Sequence, residues 1–223
     1  MKTCNICILL AVISVSIVRS KNVLAATTID TTSHASPWAS VGRWGEVGSE
    51  TIGQTFTVGS DNRLDNFTFY VTSTINDEFT DHLVFGAYVM KWDGSKAIGP
   101  ILFESGHIRT TGNLLKWGFE QIDVDTGGLH LDVGGRYVAF FSVTDYISGP
   151  LSSGWAAYVG EAYANGTFVY IDNGSSFSAL TTTPWVTNYP GGDLAFTMSF
   201  NIPEPTTLLL LGLGSFVLTK RKR

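Results

Sequence analysis

The sequence predicts an all-β protein: a two-sheet antiparallel β-sandwich, with a jelly roll as the expected arrangement, framed by an N-terminal signal helix and a C-terminal hydrophobic helix. Three observations carry this prediction. Between residues 26 and 202, short stretches alternate apolar and polar side chains, the period that turns one face of a strand toward a core. The stretches close on turn chemistry such as Gly59-Ser60-Asp61-Asn62 and Asp93-Gly94, where glycine supplies the positive φ of a tight turn. No long stretch in that interval has helical periodicity, and Gly, Thr, Val, Tyr and Phe dominate it.

Taken in order, the chain begins with Lys2, an apolar stretch from Ile6 to Val18, and Val23-Leu24-Ala25, small residues of the kind signal peptidase cleaves. Residues 1–25 therefore read as a signal peptide. Both cysteines, Cys4 and Cys7, lie in this leader, so the mature body offers no disulfide, thiolate metal ligand or cysteine nucleophile. Residues 26–202 read as one β-sandwich domain, long enough for a sizeable core. Its strands are expected at Gln54–Val58, Leu64–Val71, Leu83–Trp92, Ile101–Glu104, Phe119–Val124, Tyr137–Val143, Thr167–Ile171 and Leu194–Phe200.

Charge narrows the partners. The whole chain carries a net charge of -5, but seven of its 14 basic residues lie in the leader and tail. From Ala26 to Pro203, seven basic residues face 18 acidic ones, a net charge of -11. Nucleic acid is excluded as a partner, because its binding depends on neutralising phosphates with Lys and Arg. Neutral or cationic ligands and divalent cations fit better.

The C-terminus, residues 203–223, stacks three signals. Pro203-Glu204-Pro205 is rigid and incompatible with helix, so Glu204 is presented in an extended segment. An uncharged run from Leu208 to Leu218 follows, shorter than the roughly 20 residues of a comfortable membrane span. The basic cluster Lys220, Arg221, Lys222 and Arg223 then acts as a stop to transfer, placing the end in the cytoplasm and Glu204 outside. This order of parts resembles the PEP-CTERM sorting signal of Gram-negative, exopolysaccharide-producing bacteria. The resemblance implies that an exosortase-type transpeptidase in the membrane recognises Pro203, Glu204 and Pro205. It also implies an inner-membrane-anchored intermediate and delivery to the cell surface, the extracellular matrix or a biofilm, with exopolysaccharide as a potential partner.

A second resemblance lies in the body. Ala87-Tyr88-Val89-Met90-Lys91-Trp92-Asp93-Gly94, Gly99 through Ser105, and Leu131 with Gly134 through Phe140 look like exported bacterial β-sandwiches. The overall plan is similar to galactose-binding-like jelly rolls, the architecture of many carbohydrate-binding modules. That resemblance implies a structural calcium, for which Gln54 and Asp193 stand where oxygen ligands are expected.

The candidate ligand-binding residues are Trp92, Trp117 and Trp155, because an indole on a rigid rim stacks on the apolar face of a sugar while nearby polar groups take its hydroxyls. No catalytic residues are assigned. His34, His82, His107 and His130 lack zinc-ligand spacing, and there is no Gly-x-Ser-x-Gly elbow. Asp123, Asp125 and Glu120 are acids on a predicted strand and read as surface. The expectation is a non-enzymatic, glycan-binding or structural surface protein. The alternative is a secreted glycan-active hydrolase with paired carboxylates from separate strands.

Overall fold

The computed structural model describes residues 27–201 apart from 35–36, 46–47, 74–81, 114, 116–117, 148–152 and 188–191. The expected signal peptide, the Pro-Glu-Pro motif, the basic cluster and both terminal helices lie outside the described residues. The first strands are β1 (Thr27–Asp30), β2 (Ala39–Gly45), β3 (Thr51–Thr57), β4 (Arg63–Ser73) and β5 (Val84–Trp92). They are followed by β6 (Ala97–Glu104), β7 (Ile108–Arg109), β8 (Glu120–His130), β9 (Arg136–Ser142) and β10 (Ser153–Gly160). The chain continues with β11 (Phe168–Ile171), a single helical turn α1 (Ala179–Thr182), β12 (Asp193–Leu194) and β13 (Phe196–Asn201).

Every strand pairing is antiparallel, and two sheets face each other. One contains the order β1-β13-β4-β8 and the other β3-β9-β5-β6. Among these eight strands every successive pair crosses between the sheets except the β5–β6 hairpin, which is the jelly-roll arrangement the sequence predicts. Four further strands widen it, and the short β7 pairs with the start of β5. β10 pairs with β4 and β12, and β2 adds to β10, extending the first sheet; β11 pairs with β3 and extends the second.

Alternation along the strands explains the core. On β4, Phe67, Phe69 and Val71 turn inward, and on β9, Tyr137, Ala139 and Phe141 do the same. The Phe141 ring lies 4.9 Å from Phe69 of the opposite sheet and 4.7 Å from Phe85 of its own, so tilted aromatic packing joins the layers.

The second sheet is apolar on its outer face as well. Tyr88, Met90, Trp92, Val138 and Phe140 lie there beneath Leu180 and Trp185, brought over by the segment around α1. Backbone and side-chain bonds fix this cover: the Trp185 amide donates to the Ser95 carbonyl at 2.8 Å, and its indole N–H donates to the Leu180 carbonyl at 2.9 Å. On the outer face of the first sheet, Trp38 and Phe119 cover Ala157, Val159 and Ala195.

Among the described residues, no helix is long and apolar enough to cross a membrane.

Candidate functional site

β2 ends the first sheet and β11 the second, and between them opens a cleft of about 520 Å³. Ile52 and Phe168 form its floor, Tyr170 one wall, and Gly42, Arg43, Gly48, Ser49 and Asp172 its remaining lining. This volume lies within the range of small-ligand sites.

Local sequence explains the shape. The pairing of β2 with β10 slips between Arg43, opposite Trp155, and Val41, opposite Ala156, leaving Gly42 as the extra residue of a bulge. The following turn closes on itself, with the Gly45 amide donating to the Ser49 carbonyl at 3.0 Å and the Ser49 amide to the Arg43 carbonyl at 3.2 Å. Gly48 has φ +134°, and a Cβ there would stand 2.3 Å from the Arg43 carbonyl oxygen, so only glycine lets the turn fold back this tightly.

On the other side, Phe168 and Tyr170 are two apart on β11 and share a face. Their rings stack with centroids 5.8 Å apart and planes 26° from parallel. Phe168 is buried and Tyr170 half-buried, and both line the cleft. Val186 holds the free edge of β11 by exchanging two backbone bonds with Tyr170, at 3.0 and 2.7 Å.

Asp172 follows directly. Its position is set by Glu50, which is buried and accepts the Asn173 and Gly174 amides, each at 2.9 Å. Asn173 is itself locked by Thr51, whose hydroxyl donates to its side-chain oxygen at 3.0 Å. The cleft thus joins an aromatic wall to an exposed carboxylate, a hydroxyl and a guanidinium-bearing residue on a rigid frame.

The sequence-predicted residues are distributed differently. Trp92 is 5% exposed and packs edge-to-face on Trp185 at 5.6 Å, under the α1 segment. The expectation that it stands on an exposed rim is corrected: its strand position faces outward, but the later chain covers that face. Trp117 lies outside the described residues. Trp155 is half-buried on the outer face of the first sheet, packed with Tyr70 against the Trp38 cluster and directly opposite Arg43. It borders the cleft without lining it.

Gln54 and Asp193 are brought together, wholly buried. The Gln54 amide nitrogen donates to Asp193 Oδ1 at 2.7 Å, while Asp193 Oδ2 accepts the Ala162 and Tyr163 amides at 2.9 and 2.7 Å. Gln54 Oε1 accepts the Leu194 amide at 3.0 Å. These oxygens face N–H donors, so the donor set does not fit calcium, which needs six to eight converging oxygens. Burial pushes the Asp193 carboxyl above its ordinary range, opposed by the two amides and by Gln54. Among the described residues, no group of three or more His, Cys, Asp or Glu is placed to hold a metal ion.

The acids of β8 are also accounted for. Glu120 is buried and accepts the Thr111 amide and hydroxyl and the Gly112 amide, at 2.8–3.1 Å, clamping the preceding loop. Asp123 and Asp125 are exposed on the first sheet, and Asp123 accepts the Thr68 hydroxyl at 2.6 Å.

The residues that sequence reasoning missed are Arg43, Ser49, Tyr170 and Asp172. A signal was present in Phe168-Val169-Tyr170-Ile171-Asp172, where aromatic rings recur every second residue, but it marks a strand without revealing that the strand ends a sheet.

Comparison with known proteins follows the same division of the chain. Residues 201–223 match the PEP-CTERM protein-sorting motif. The chain therefore carries the signal for export, cell-surface sorting and exosortase processing. No curated protein sequence matches it. One solved structure, "The crystal structure of the cysteine protease and lectin-like domains of Cwp84, a surface layer associated protein of Clostridium difficile", overlaps 69% of this chain. The match spans 33% of that chain, at 12% identity and a TM-score of 0.41.

Proposed function

We propose that this protein is an exported, non-enzymatic β-sandwich of the cell surface or extracellular matrix that binds glycan in the cleft between β2 and β11. In its itinerary, signal peptidase removes the leader, the apolar run and basic cluster hold an inner-membrane intermediate, and the exosortase acts at Pro203, Glu204 and Pro205. The observation that carries the binding reading is the stacked Phe168 and Tyr170 pair inside a cleft whose other lining includes Ser49, Asp172 and Arg43. An aromatic face offers a surface for the apolar side of a pyranose, and the polar groups suit its hydroxyls. The acidic body favours a neutral or amino-bearing sugar over a polyanion.

A hydrolase reading needs a second carboxylate across the bond to be cleaved. Among the described residues, Asp172 is the one acid lining the cleft. This composition favours binding over hydrolysis.

The test is a glycan array followed by calorimetric titration of the hits. Tyr170→Ala should weaken binding about tenfold or more, on the scale of aromatic stacking energies. Gly42→Trp should block it, because no atom lies within 4 Å of a Cβ at that position and the new ring would enter open space. Absence of any glycan ligand would leave a structural role alone. For the itinerary, Glu204→Ala in the native host should stop tail processing and surface delivery.

A further inference from the structure

We infer that the glycan is a linear chain of sugar units that leaves the cleft across β2 and lays a later unit on Trp155, on the outer face of the first sheet. The inference rests on the reading of the cleft as a glycan site. It extends that site to a second contact, so that the ligand is an oligosaccharide or polymer and not an isolated monosaccharide.

Register places the second contact. Ala156 belongs to the core, so its neighbour Trp155 turns to the outer face of the first sheet. It lies directly opposite Arg43 of β2, and residues so paired share a face, with Cβ atoms about 5 Å apart. β2 is the edge strand, and Arg43 lines the cleft. The Trp155 ring therefore stands one strand inside the rim.

The rim is bare at this point. Gly42, the extra residue of the bulge, is exposed and lines the cleft, and a Cβ there would meet no atom within 4 Å. A chain that fills the cleft can cross the strand over Gly42 without displacing a side chain. Arg43 stands beside the crossing, exposed, and it has no ion pair among the described residues. Its guanidinium has N–H donors for sugar oxygens.

Trp155 offers a polar group as well as a ring. Packing against the Trp38 cluster leaves it half-buried. The indole N–H groups of Trp38 and Trp185 donate to the Thr32 and Leu180 carbonyls, at 3.1 and 2.9 Å. That of Trp155 has no hydrogen-bond partner among the described residues, and its nitrogen is not buried. An indole in this state can stack on a pyranose and donate to a hydroxyl. Tyr70, diagonal to Trp155 on β4, packs on the same cluster, so the aromatic surface continues along the face.

The experiment uses the full chain in a sugar-free detergent. Two probe series are titrated calorimetrically: D-glucosamine with its β-1,4-linked oligomers, and D-glucose with the neutral β-1,4-linked oligomers. Their ring substituents are equatorial, which leaves C–H faces for aromatic contact. The tetrasaccharide of a series that binds should do so about tenfold more tightly than its monosaccharide, the scale of one added aromatic contact. In Trp155→Ala the two should bind alike, and in Tyr170→Ala both should weaken. In NMR spectra of the wild type, the Trp155 indole N–H resonance, assigned by its loss in Trp155→Phe, should move with tetrasaccharide and stay in place with monosaccharide. That readout stands even where Trp155→Ala does not fold. Equal affinity for monosaccharide and tetrasaccharide, or a tetrasaccharide that binds without moving the resonance, overturns the extended site and leaves the cleft reading intact. Failure of both series to bind overturns the cleft reading, and the inference with it.

Discussion

Gln54 and Asp193, 139 residues apart in sequence, meet at 2.7 Å in the interior and join β3 of one sheet to β12 of the other. The contact is one bond of a closed set. Each Asp193 oxygen has a donor, and Gln54 spends its carbonyl on Leu194 and its amide on Asp193 and Thr55. A buried carboxylate is stable only when its acceptors are satisfied. The pair also pins Ala162 and Tyr163, the start of the connection that delivers β11 to the cleft.

Asp193→Asn should destabilise the fold by about 1–3 kcal/mol, because an amide at this position sets N–H against N–H. Urea unfolding measures the loss. The sign of its pH dependence follows from the raised carboxyl: the folded state holds the proton more tightly than the unfolded one, so Asp193's contribution is full below its ordinary value of 3.8 and falls as pH rises through the higher folded value. The stability gap between wild type and variant should be widest at acid pH and narrow toward neutrality. A gap that widens with pH would contradict the raised carboxyl.

Chelation should leave the thermal midpoint of the body unchanged, because the expected calcium ligands face N–H donors. Differential scanning calorimetry in EDTA checks this. A midpoint that drops in EDTA and recovers with calcium would place a cation site elsewhere on the body.

Trp92→Ala should cost about 3–5 kcal/mol of stability, the range for emptying a buried aromatic position, by opening a void against Trp185. Glycan affinity of the folded fraction should be unaffected. A selective loss of affinity at unchanged stability would restore Trp92 as a ligand platform.

Glu120→Ala should cost about 1–3 kcal/mol, since it leaves the Thr111 and Gly112 amides without their carboxylate. Hydrogen exchange at those two amides should accelerate more than at the β4 amides. Uniform acceleration across the body would show that the carboxylate supports the whole fold and not this loop.

Much of the fold was legible because inward-facing residues announce themselves locally. Phe67-Thr68-Phe69-Tyr70-Val71 places apolar groups on every second position whatever surrounds it, and Asp93-Gly94 fixes the hairpin between β5 and β6. β2 was not legible, because Ala39-Ser40-Val41-Gly42-Arg43-Trp44-Gly45 has two inward groups and a bulge that breaks the period. β10 was missed because Ser153-Gly154 reads as a turn, although both residues begin a strand. Trp92 shows the limit most clearly: strand alternation says that its ring points away from the first core, and nothing nearby says that residues 177–187 will cover it.

The sequence alone determined that the body is a cysteine-free, acidic, all-β module and that its last residues form a sorting tail, because alternation, composition and a contiguous motif are properties of neighbours along the chain. Only the tertiary structure decided which aromatics stay accessible, that the Gln54 and Asp193 oxygens face amides, and that a cleft opens where β2 and β11 end their sheets. Those outcomes depend on which distant segments come to lie against one another, and burial and hydrogen-bond partnership are set across space.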